Sequence, residues 1–110
     1  MNFRKSIKRK IELSQSAYAM YLNSRSYISA LKLMLVNKNC IKTILDYAGE
    51  FDENEWGILV ELINHWSGWL IQFEFEEKIQ QPSLNDKFIF ERSKDVSSWP
   101  FLVSKLITEW

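Results

Sequence analysis

A chain of 110 residues with 46% hydrophobic and 25% charged side chains has the size and composition of one ordinary globular domain, which excludes a disordered chain or a repeat solenoid. Cys40 is the single cysteine, so no internal disulfide forms, nothing ties the fold to an oxidising compartment, and a cytoplasmic location is expected. The formal net charge of zero excludes nothing by itself, because the charges are segregated along the chain.

The basic start Met1–Lys10 suggests a signal peptide, but the following IELSQSAYAMYLNS lacks the continuous apolar region that one requires. The longest aliphatic run, Leu33 to Val36, is far short of a membrane span. Phe3, Ile7, Ile11, Tyr18 and Tyr21 fall at helical spacing and predict an amphipathic helix over residues 3–22. NSRS supplies cap residues, after which Tyr27, Ile28, Leu31, Met34 and Leu35 predict a second helix ending near Asn37; a chain without that break is the alternative. A short third helix carries Cys40, Ile41, Ile44, Leu45 and Ala48, with Gly49 at its end.

DENE at 52–55 places Asp52 as N-cap with Glu55 three residues on, a capping-box-like start. Trp56, Leu59, Val60, Ile63 and Trp66 then form a stripe, and Gly68 reads as the stop. In WLIQFEFEE the period changes: Trp69, Ile71, Phe73 and Phe75 share one face of a strand while Gln72, Glu74 and Glu76 share the other. DKFIFERS alternates again, with QQPSLND between as a turn-rich loop. The expected fold is therefore α+β and predominantly helical, a single domain over 1–110 with about five helices and one antiparallel hairpin at 69–76 and 87–92. The competing pattern runs the helix on through Trp66, Leu70, Phe73 and Glu77 and gives an all-α bundle. SSWPFLVSKLITEW closes the chain with a helix that buries Leu102, Val103, Leu106 and Ile107.

Residues 1–42 hold nine basic side chains against the single acid Glu12, whereas residues 43–77 hold nine acids and no Lys or Arg. Acids at a helix start relieve exposed N–H groups and the helix dipole, which accounts for Asp52, Glu53 and Glu55. It does not account for Glu61, Glu74 and Glu76, and an exposed carboxylate surface steers a cationic partner and repels nucleic acid. The candidate partner-binding residues are Glu50, Asp52, Glu53, Glu61, Trp69, Glu74 and Glu76. For Trp69 both a core position and an interface anchor remain open. The basic stretch FRKSIKRK suits phosphates or an anionic membrane, or is simply the polar face of a helix.

His65 is the only histidine, and with Glu61 one turn earlier it reads as a surface pair. No zinc-ligand spacing, P-loop, dinucleotide fingerprint or nucleophile elbow is present, and Glu74 with Glu76 lacks the cleft that a hydrolase requires. The expectation is a protein that is not an enzyme, with no cofactor and no metal. With the acidic, aromatic-flanked block of EFDENEWGILVE and WLIQFEFEE, the small size and the lack of a catalytic signature, the chain as a whole resembles in general character, and in no particular motif, small bacterial immunity proteins that neutralise toxins of the contact-dependent or colicin type. The resemblance implies a stoichiometric inhibitor of a basic toxin, often a nuclease, with a protein partner and neither nucleic acid nor membrane. The alternatives are a nucleic-acid-associated or regulatory adaptor using the basic first helix, and a structural subunit of an oligomer.

Overall fold

The computed structural model describes residues 2–79 and 99–110, with side chains throughout except at 75–79 and 99–101. These residues form α1 (Phe3–Ser24), α2 (Tyr27–Asp46), a single 3-10 turn at Ala48–Glu50, α3 (Glu53–Ile79) and α4 (Trp99–Thr108).

Each of the three long helices buries a stripe that advances by alternate steps of three and four residues. On α1 it is Ile7, Ile11, Ser14, the half-buried Tyr18 and Tyr21; on α2 it is Ala30, Leu33, Asn37, Cys40 and Ile44. On α3 it is Glu55, Leu59, Leu62, Trp66, Trp69 and Phe73. A stripe of this period lets helices lie nearly parallel along their whole length, the geometry of most helical bundles.

The cross-helix contacts fix the topology. Lys10 reaches Asn39 and Ser14 meets Asn37, so α1 and α2 run antiparallel. Arg4 pairs with Glu55 and Tyr18 stacks on Trp69, the same offset of 51 positions at both places, so α1 and α3 run parallel. Trp110 bonds Glu55 and Gln15 bonds Ser104, which places α4 antiparallel to both. The result is an up-down-up-down four-helix arrangement with one core, in agreement with the all-α alternative.

Local chemistry sets the breaks. Arg25 takes the left-handed conformation at φ 46°, and its N–H closes onto the Tyr21 carbonyl at 2.6 Å. Ser26 then caps α2 in a reciprocal box with Ser29.

Four expectations are corrected. The segment 69–76 is helix and not the first strand of a hairpin; the second strand, 87–92, lies outside the described residues. Trp69 and Phe73 satisfy both periods, but they continue the series Leu59, Leu62, Trp66, and Ile71, their partner in the alternating pattern, is 69% exposed. The stacks of Tyr18 on Trp69 at 5.8 Å and of Tyr27 on Phe73 at 5.6 Å hold this half of α3 to α1 and α2, each adding about 0.5–1.5 kcal/mol beyond the area it buries. Gly68 consequently lies within α3 and stops nothing, and no described glycine has a positive φ, Gly49 included. The second and third predicted helices are one, α2, because Asn37 points into the core instead of capping an end. Leu102 turns outward, while Val103, Leu106 and Ile107 are buried as expected.

Candidate functional site: an acidic surface built on a saturated carboxylate

The start of α3 is organised by one side chain. Asp52 accepts the Glu55 N–H at 2.8 Å, and the Asp52 N–H donates to Glu55 Oε1 at 3.0 Å, which completes the predicted capping box. The same carboxylate receives Arg4 in a two-pronged pair, Nε to Oε2 at 2.9 Å and Nη2 to Oε1 at 3.0 Å. The Trp110 indole N–H donates to Oε2 at 3.0 Å. Four donors therefore surround a carboxylate that is only 8% exposed. Arg4 first, with the Asp52 N–H and the Trp110 indole, outweighs the opposing effect of burial and holds its pKa down at about 2.

Aromatic rings close around this point. Phe3 stacks on Tyr47 at 5.1 Å and meets Phe51 edge-on at 5.4 Å, and Phe51 stacks on Trp110 at 6.0 Å. The Arg4 guanidinium lies 4.8 Å from the Phe3 ring centre. A carboxylate with its lone pairs engaged and its charge neutralised has neither the proton affinity nor the free coordination for catalysis. Its effect is structural: it ties the beginnings of α1 and α3 to the end of α4 and fixes how the neighbouring acids face outward.

Only some of the sequence candidates are among those neighbours, and the structure separates the six whose side chains it describes into three groups. Glu50, Asp52, Glu53 and Glu61 are exposed on the half of α3 nearest this clasp and on the turn before it. Glu61 borders a groove of about 420 Å³ between α3 and α4, walled by Ile58, Leu102 and Leu106, with Glu109 on the rim and Lys105 beside it. Glu74 is exposed too, but thirteen residues of helix set it roughly 20 Å along the axis from Glu61 and about 140° around it, on a different surface. Trp69 is buried at 3% exposure, stacked on Tyr18, and contributes nothing to the surface. The side chain of Glu76 lies outside the described residues.

The roles of Arg4 and Trp110 at Glu55, and the position of Glu109 at the groove, were not readable from local sequence. The first two act through contacts 51 and 55 positions away, and no local pattern encodes a pair at that separation. Among the described residues no group of three or more His, Cys, Asp or Glu stands close enough to hold a metal ion. Cys40 is fully buried, and burial pushes its thiol up to about 12, the condition of an inert core residue. No protein-family model matches the chain, nor does any curated protein or solved structure.

Proposed function

We propose that this chain is a non-catalytic binding protein that engages a basic protein partner through the acidic surface of the 3-10 turn and the first half of α3, with Glu109 just beyond α4. In keeping with the chain's resemblance in general character to small immunity proteins, the partner is a toxin and the chain its immunity protein. The observation that supports this reading most directly is the α3–α4 groove. Glu61 lies two turns beyond the helix start, where relief of the dipole no longer explains an acid, and with Glu109, Asn54 and Lys105 it borders a groove whose apolar walls are Ile58, Leu102 and Leu106. That combination fits a Lys or Arg of the partner, whose hydrocarbon stem lies along Ile58 and Leu102 while its charge meets the carboxylates. The contiguous Asp52 and Glu53 extend the same negative field and accelerate encounter.

The test is binding to the product of the reading frame adjacent to this one. Glu53→Lys with Glu61→Lys is expected to slow association, most at low salt, while leaving the melting temperature close to that of the unaltered protein. Glu74→Lys, on the separate surface, is expected to leave association unchanged. A double variant that binds as fast as the parent removes this surface from the interface, and absence of binding by the parent removes the toxin assignment.

A further inference from the structure

The opposite side of the bundle has a different character. α1 and α2 together carry eight Lys and Arg, with Glu12 and Asp46 as their only acids. On their shared outer face four large aliphatic side chains, Leu13, Met20, Ile28 and Leu35, are each 56–73% exposed. They are not scattered. Leu13 and Met20 lie seven residues apart on one face of α1, and Ile28 and Leu35 do so on α2. Leu13 and Leu35 line a common groove of about 270 Å³ with Lys10, Val36 and Asn39, where the Lys10 ammonium bridges the two helices by donating to Asn39 Oδ1 at 2.8 Å. The same faces continue into cations: Arg9 stands one turn before Leu13, and Lys38 and Lys42 follow Leu35 at steps of three and four, all exposed.

We propose that this outer face of the α1–α2 hairpin docks on an anionic lipid surface, with Leu13, Met20, Ile28 and Leu35 entering the headgroup layer and Arg9, Lys38 and Lys42 meeting lipid phosphates. Basic side chains bordering an exposed aliphatic strip are the combination by which helices lie in a membrane interface. Contact of this kind is parallel to the leaflet, and among the described residues no helix is long and apolar enough to cross a membrane. A nucleic acid would use the cations but has no use for Leu, Ile and Met where aromatic stacking is needed. A two-fold contact with a second copy would set this same excess of cations against itself. The face is distinct from the acidic surface of the 3-10 turn and the first half of α3, so the inference stands independently of the partner proposed for that surface.

Flotation of the full chain with vesicles of phosphatidylglycerol and phosphatidylcholine, compared with vesicles of phosphatidylcholine alone, tests it. Binding is expected to the anionic vesicles only and to fall as salt is raised. Each cation near an anionic leaflet contributes about fivefold, so Lys38→Gln with Lys42→Gln is expected to weaken partition about 30-fold. Leu13→Gln with Leu35→Gln, both at exposed positions, is expected to weaken it further with the helical circular dichroism unchanged. Absence of binding to anionic vesicles overturns the proposal, as does equal binding to neutral ones. It is also overturned if the leucine variant floats like the parent, or if self-association in gel filtration, abolished by the leucine variant, replaces vesicle binding.

Discussion

The two ends of α3 are held by different physics. At its start a buried carboxylate collects four directed hydrogen bonds, three of them from Arg4 and Trp110 on other elements. Fourteen and more residues later the same helix is held by flat rings, Trp69 against Tyr18 and Phe73 against Tyr27, with burial as the main force. The directed end is sensitive to pH and fixes orientation. The stacked end is insensitive to pH and tolerates either reading of its sequence until packing decides between them.

The largest expected effect lies at the stacked end. Phe73→Ala removes a ring that is 2% exposed, and is expected to cost about 3–5 kcal/mol, measured by chemical denaturation, with the lost far-UV helical signal concentrated beyond Trp69 in amide exchange. A cost under about 1 kcal/mol would mean that this half of α3 is not docked.

At the directed end the effect depends on pH. The Glu55 pKa is lowered in the folded chain to about 2 from an ordinary 4.5, so the unfolded chain binds the proton more readily. The stabilisation is complete above the ordinary value and is lost as pH falls from there towards 2. Glu55→Gln is expected to lower the melting temperature at pH 7, and the gap to the parent is expected to close as pH approaches 2. A gap that stays constant across this window would mean that the charge of Glu55 is not what binds Arg4.

The smallest effect discriminates most sharply between the two readings of the middle segment. Gly68 is exposed inside α3, and a Cβ there meets no atom within 4 Å. Gly68→Ala is expected to stabilise the protein by about 1 kcal/mol through helix propensity. At a left-handed helix stop the same change would destabilise it, so the sign of the shift in thermal denaturation decides.

What was legible in the sequence follows the range of the interactions. Caps are local: Asp52 with Glu55, and the Ser26 break, are written within four residues and appear as predicted. The stretch WLIQFEFEE was not legible, because Trp69 and Phe73 fit a period of two as well as a period of 3.6, and only Tyr18 and Tyr27, more than forty positions away, select the helix. Asn37 misled for a related reason. A short polar residue favours a helix end in isolation, and here its partner Ser14 lies on another helix. Of the candidate surface, the acids before and within the first turns of α3 were readable from charge alone, whereas the neighbouring Glu109 and the burial of Trp69 required the bundle.

Ser14 and Asn37 are fully buried and hydrogen-bonded to each other, and the Asn37 Nδ2 has no hydrogen-bond partner among the described residues. Such a pair adds little to the free energy of folding. Its effect is on alternatives. Sliding α1 along α2 by seven residues would bring Asn37 opposite Ile7 or Tyr21 and Ser14 opposite Ala30 or Ile44, positions that are otherwise hydrocarbon or ring. Both polar groups would then be stranded, at a cost of about 1–3 kcal/mol each, whereas an all-aliphatic seam of the same period would accept the slipped arrangement almost as readily as the native one. The two side chains thus act as a vernier mark, with one matching position along a pair of otherwise repetitive helices.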